Sequence, residues 1–390
     1  MEDMDLTEGL FQERLPAPLD DGRLASRLAA WKAHTPLRIA AFVAVAWLPL
    51  CLLASHEGTL YAPGTAGTLL LDFGAIGRYL GAGPLLIAGT GVCMAVLGGI
   101  AQRLGTLCND ADPGGQHFAQ LVAATRRRHA RRWPAVALLC IALLLSTVLT
   151  HALPWHELPA WHRAGAQLSL AGWWNACVSL PLLLMLLLGW LWRLARWSRF
   201  LWRVSQLPLC LVPVHPDQAG GIGFVGYSLR GFSPFAAAFG AMMAGAIANR
   251  TVHGGIPLAD HRMAIIGAVA GMLLLCGAPL LLFSTRLMRT WWRGVRDYAA
   301  LASEFGRAFE AKWFSEGAPT RCGDLLDTGD FSAAADLYQV VDRIHALRVV
   351  PVDLLSAVAL AAATLLPLVP VVLLVIPFDV LLAALASLLR

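Results

Sequence analysis

The chain has 390 residues, 57% of them apolar and only 14% charged, with a mean hydropathy of +0.62. That is more apolar side chain than one soluble core can bury, which excludes an ordinary globular protein and points to a bilayer as the solvent. The net charge of +5 comes from basic residues placed beside apolar stretches, where anionic lipid headgroups and not nucleic acid are the expected partner.

In chain order, a polar tail over 1–37 precedes the first apolar stretch. It lacks the basic segment and apolar core of a secretory signal. Seven stretches then read as membrane spans: 38–55, 84–102, 134–153, 169–192, 232–249, 263–285 and 351–376. Each is near the ~20 residues that cross a ~30 Å hydrocarbon core. The fifth is rich in Ala and Gly rather than Leu, so a re-entrant pair of short helices is the alternative there. Prolines 367, 370 and 377 predict a kinked or broken last span. The 13 residues after Pro377 are too few to cross again and suit an interfacial helix.

Basic residues fall in alternate gaps. Twenty-five lie in the tail and the even-numbered gaps, including the run Arg126–Arg132, and five lie in the others. By the positive-inside rule the N-terminus is cytoplasmic and the C-terminus outside, in a multi-pass protein of a bacterial inner membrane. The expected fold is therefore an all-α polytopic bundle. Its parts are the tail 1–37, a membrane domain 38–285 carrying a Gly-rich inner loop 212–235, a cytoplasmic helical insert 286–350, and 351–390 with the last span. In the insert, 296–314 and 330–350 have helical apolar spacing. Trp31, Trp133, Trp155, Trp161, Trp190, Trp192, Trp291 and Trp292 stand near span ends, as an interfacial belt would.

No span carries Asp, Glu, Lys or Arg near its centre, which counts against a proton-coupled transporter or a voltage sensor. A pore lined by backbone and by Thr90, Ser146, Thr147, Thr150, Asn175 and Ser179 remains open, as does no transport at all. Gly267 and Gly271 form a GxxxG, and Gly240 and Gly245 add small residues to the fifth span. Both pairs suit helix packing, inside one subunit or between subunits of a homo-oligomer.

Two groups of residues carry possible chemistry. The first is VPVHPDQAGGIGFVGYSLRGFSPF, 212–235. His215-Pro216-Asp217 is turn-forming, and Gly220, Gly221, Gly223 and Gly226 permit positive φ or close approach. Such a loop could offer N–H groups to an anion, a metal or a headgroup, or could simply seat a helix as a gate-like turn. Its GxGxxG match lacks a βαβ context. The second is histidine and carboxylate in the outer gaps: His56, Glu57, His151, His156, Glu157, His162, His253 and His261. These are ligand types for a transition metal and titrate near neutral pH, although no tight motif joins them, and interfacial rim residues are the plainer reading. No cofactor is otherwise indicated. GxSxG, HExxH and P-loop patterns are absent, which leans away from an enzyme.

The HPDQAGGIGF string, together with Arg348, Pro351, Asp353 and the Pro-rich last span, resembles segments of an uncharacterised group of bacterial polytopic membrane proteins. The resemblance covers about 60 residues and implies a shared fold without an activity. Three functions follow as expectations. An oligomeric channel or passive transport protein comes first, then a membrane scaffold or accessory subunit, then a membrane enzyme with the outer His and carboxylate residues as its site.

Overall fold

The computed structural model describes residues 21–61, 67–111, 118, 120–121, 133–152, 158–165, 167–314 and 329–375. The Arg126–Arg132 run, His156, Glu157 and the C-terminal tail lie outside the described residues. The fold is an all-α bundle with seven helices long and apolar enough to cross a membrane, an integral multi-pass membrane protein in contact with lipid. Among the described residues the strands are one short hairpin, β1 (Arg163–Ala164) against β2 (Gln167–Leu168), in a loop between spans.

The first span runs through α1 (Asp21–Ala46) and α2 (Leu48–His56). The second starts with α3 (Phe73–Ile76), passes through a π-helical turn Gly77–Ala82, and continues as α4 (Gly83–Ala111). After α5 (Trp133–Ala152), the fourth span repeats this design: α6 (Leu170–Trp174), a π-helical turn Asn175–Ser179, then α7 (Leu180–Val204). The fifth is α8 (Ser228–Val252), preceded by a 3₁₀ turn from Gly223. Next come α9 (Arg262–Gly277), a 3₁₀ stretch Ala278–Phe283, and α10 (Ser284–Trp313). A second helix of the insert, α11 (Asp330–His345), precedes α12 (Leu354–Leu365) and α13 (Val369–Val375), which share the last span.

The Ala- and Gly-rich fifth span is continuous and is the most buried of the seven, so the re-entrant alternative does not hold. Its composition is explained by position, since α8 is the central helix, packed against α4, α12 and the Gly77–Ala82 turn. A Cβ added to Gly240 would stand 2.1 Å from the Thr364 carbonyl oxygen, one on Gly245 2.3 Å from that of Phe73, and one on Gly77 2.6 Å from that of Ala241. Larger residues could not lie at these backbone-to-backbone contacts. Gly267 and Gly271 differ: both are exposed on α9, and an added Cβ at either meets nothing within 4 Å. The prolines of the last span end α12 in a 3₁₀ turn, Leu366–Leu368. The first insert helix is longer than its spacing predicted, because α10 runs without a break from the membrane end at Ser284 to Trp313.

Polar groups inside the membrane bond to one another. The Tyr79 hydroxyl donates to Asn175 Oδ1, joining the two π-helical turns. Ser146 donates to the Ala176 carbonyl (2.6 Å), Ser179 to that of Ala46 (2.8 Å) and Thr90 to that of Leu86 (3.0 Å). With no water available, each hydroxyl closes on a carbonyl. Tyr79, Ser146 and Ser179 thereby join helices, while the Thr90 bond closes within α4.

Two expectations need correction. Trp161 and Trp190 are buried at 0% and 2% exposure and are not belt residues. The indole N–H of Trp190 donates to the Leu86 carbonyl (3.0 Å) and that of Trp161 to Asp72 (3.0 Å), so their polar ends are satisfied inside the protein. The charge-free interior also has an exception, because α7 continues past 192 and buries Arg193. That guanidinium lies 4.4 Å from the Trp190 ring centroid and 3.5 Å from Thr90 Oγ1.

Candidate functional site

The HPD loop lies on the Arg-rich face, between the ends of α7 and α8. Its conformation follows from Asp217. The carboxylate accepts N–H bonds from Ala219 (2.9 Å), Gly221 (3.1 Å) and Gly223 (2.8 Å), and His215 Nδ1 stands 2.8 Å from Oδ1. Wrapping a chain this tightly around one side chain needs left-handed backbone at Gly220 (φ +66°) and Gly221 (φ +95°), with Gln218 also at φ +54°. The nest of N–H groups is thus already occupied by the loop's own carboxylate, so the expectation that it offers free N–H groups to an external anion is not met. Partial burial works against the ionised carboxyl, but the N–H groups of Ala219, Gly223 and Gly221 and the His215 ring outweigh it. Asp217 is held below its ordinary range.

Two other elements, α10 and the 346–353 segment, grip the loop. Arg293 of α10 donates to the Leu211 carbonyl (3.1 Å), and Gly294 lets α10 lie against Pro213. The Arg348 amide donates to the Gln218 carbonyl (2.7 Å). A Cβ on Gly226 would stand 2.6 Å from the Pro351 carbonyl oxygen. Asp353 then caps α12 through Ser356 N (3.2 Å) and pairs with Arg230 of α8 (2.9 Å). The two sequence segments that carry the resemblance, more than 100 residues apart, are therefore neighbours in space.

Between them is an open cavity of about 360 Å³, lined among others by Arg103, His215, Asp217, Tyr227, Arg348 and Asp353. Arg103 reaches it from the end of α4 and stands 5.9 Å from the Phe224 ring centroid. Tyr227 belongs to the 212–235 segment already singled out, whereas spacing along the chain could not have found Arg103, whose only signal is an Arg at the membrane boundary.

On the opposite face those of the predicted His and carboxylate residues that are described do not converge. Among the described residues no three His, Cys, Asp or Glu side chains come together as a metal site. Glu57 accepts the Leu170 amide (2.8 Å), and the His253 ring contacts the Leu71 carbonyl (2.8 Å) and stacks on Phe73. His56 and His151 are exposed at helix ends, while His261 is buried.

What does converge there is a hub on Asp72, a residue that no motif in the sequence marks. It accepts from Asn249 Nδ2 (2.7 Å), Trp161 Nε1 (3.0 Å) and the Ala75 amide (3.0 Å), with Arg78 at 4.0 Å. Asn249 Oδ1 in turn accepts the Phe73 amide (2.8 Å). One carboxylate thus ties together the loops before α3 and α6 and the end of α8. Burial opposes its charge, but Arg78, Asn249, Trp161 and Ala75 prevail and hold its pKa below the ordinary value. Beside it His162 is 8% exposed, edge-on to Trp161 at 3.9 Å, with neither ring nitrogen hydrogen-bonded among the described residues. Burial first, then Arg78, pushes its pKa down to about 4.

Comparison of the chain with protein-family models, with curated proteins and with solved structures finds no match.

Proposed function

We propose that the chain is the subunit of an oligomeric channel or passive transport protein whose control point is the cytoplasmic loop 212–235. The observation that supports this reading is the loop's position. It couples α10 and the 346–353 segment to the start of α8, the central helix, while Arg230 and Asp353 join α8 to α12. Helices that meet through backbone at Gly240 and Gly245 can shear by small shifts without rearranging large side chains. With the small face of α8 filled by its own subunit, the path runs between subunits, and the uncovered Gly267 and Gly271 suit a subunit contact.

The test is solute or ion flux in proteoliposomes, with wild type against Gly221→Leu. The substitution forces a β-carbon onto a φ of +95° beside the His215 ring and should change flux. A wild-type protein that passes no tested ion or small solute would refute the reading.

A scaffold or accessory-subunit reading has its own support. Phe309 meets Phe331 edge-on and Trp313 meets it tilted where α10 meets α11, next to the Lys312–Asp330 ion pair, and Phe314 is 77% exposed. An aromatic surface of this kind suits a partner protein. Stoichiometric co-purification that is lost in Phe314→Ser would favour it.

A further inference from the structure

We propose that the cavity beneath the HPD loop is a binding site for a phosphate-bearing anion, held by Arg103, Arg348, Tyr227 and His215. This deepens the reading of the loop as a control point and rests on it only for its consequence, not for the binding itself.

The argument is an account of the charges in the cavity. Its two carboxylates are both committed. Asp217 takes three backbone N–H groups and the His215 ring, and Asp353 takes Ser356 N and Oγ together with the Arg230 guanidinium. The cations are not neutralised in this way. Among the described residues neither Arg103 nor Arg348 has a carboxylate within ion-pair distance. Arg103 rests near the Phe224 ring, and Arg348 spends one nitrogen on the Val352 carbonyl (3.3 Å). Arg103, Arg348, Tyr227 and His215 therefore line one space of about 360 Å³.

A fork binds paired oxygens, and two forks with a hydroxyl suit a group with three or four acceptor oxygens better than a carboxylate with two, while His215 Nε2, the acceptor of a neutral ring whose Nδ1–H serves Asp217, would take the proton of a monoprotonated phosphate. The volume admits a phosphate or a phosphodiester headgroup. The cavity also lies where α8 and α12 begin, at Ser228 and Leu354. At that depth the phosphate has two sources, free in the cytoplasm or on an inner-leaflet lipid. An anion bound there would sit between the loop that leads into α8 and the segment that leads into α12.

The test is calorimetric titration of the full-length, delipidated protein in detergent, at matched ionic strength, with inorganic phosphate in one arm and short-chain phosphatidylglycerol in the other. Arg348→Gln and Arg103→Gln should each weaken binding at least tenfold and Tyr227→Phe a few-fold. Arg307→Gln, exposed on α10 away from the cavity, should leave it unchanged. Arg348→Lys and Arg103→Lys, which keep charge without the fork, should fall between, so a misfolded Gln variant cannot imitate the result. Saturable binding in the phosphate arm assigns a soluble ligand, and binding confined to the lipid arm assigns a headgroup. No binding in either arm, or binding that ignores both arginines, overturns the site. Flux without binding overturns this inference alone, and binding without flux overturns the channel reading alone.

Discussion

Replacing Asp72 by Ala should be among the most damaging single changes in the chain, although Asp72 touches none of the residues of the cavity beneath the HPD loop. The side chain is 2% exposed in its contact with Arg78 and is the common acceptor for Asn249, Trp161 and Ala75. Its loss leaves buried donors without an acceptor. A hydrogen bond to a charged group contributes about 1.5–3 kcal/mol, and removing one partner of a buried charge cluster costs about 3–5 kcal/mol in all, because the individual losses do not add. Asp72→Asn keeps one carbonyl oxygen but turns an amide toward existing donors, so about 1–3 kcal/mol is expected. Thermal unfolding of the detergent-solubilised protein should rank wild type above Asp72→Asn above Asp72→Ala. A double-mutant cycle with Asn249→Ala should show coupling of about 0.5–3 kcal/mol. A melting temperature for Asp72→Ala equal to wild type, or strictly additive effects with Asn249→Ala, would refute the hub as a determinant of stability.

Two further outcomes are expected. His162 is pushed from its ordinary 6.5 down to about 4, so between those values the unfolded chain binds a proton that the folded protein refuses. Its effect on stability is therefore absent above pH 6.5 and grows as pH falls towards 4, to about 3 kcal/mol. His162→Gln should flatten melting curves between pH 7 and 4, and an unchanged pH profile would count against a buried neutral imidazole. The depressed carboxyls Asp72 and Asp217 act in the same direction only as pH falls below their ordinary 3.8. The glycines should also separate. Gly240→Ala places a Cβ 2.1 Å from the Thr364 carbonyl and should destabilise the monomer. By contrast Gly267→Leu and Gly271→Leu, with nothing within 4 Å of an added Cβ, should leave monomer melting unchanged and lower the subunit number in native mass spectrometry. Equal monomer destabilisation at all three glycines would contradict the packing.

Class, span number and the alternation of the basic residues are legible in the sequence because they are sums over neighbours along the chain. Twenty apolar residues in a row, or Arg beside them, carry the same physical meaning wherever the rest of the chain lies. The turn at His215–Asp217 was legible for the same reason: Pro, Asp and Gly act within a few residues, and the Asp217 bonds close inside the loop. Burial and partnership were not. Asp72 and Asn249 are 177 positions apart, and Tyr79 and Asn175 are 96 apart. No periodicity marks such a pair before the helices are packed. Trp161 and Trp190 look like interfacial anchors until their indole N–H groups are seen bonded inside the core, and the nest that seemed open to a ligand is closed by Asp217 itself. Only the tertiary structure decides which polar groups neutralise one another, because that depends on which ends of which spans meet. In this protein it leaves Arg103 and Arg348 facing one cavity with their neighbouring carboxylates already engaged.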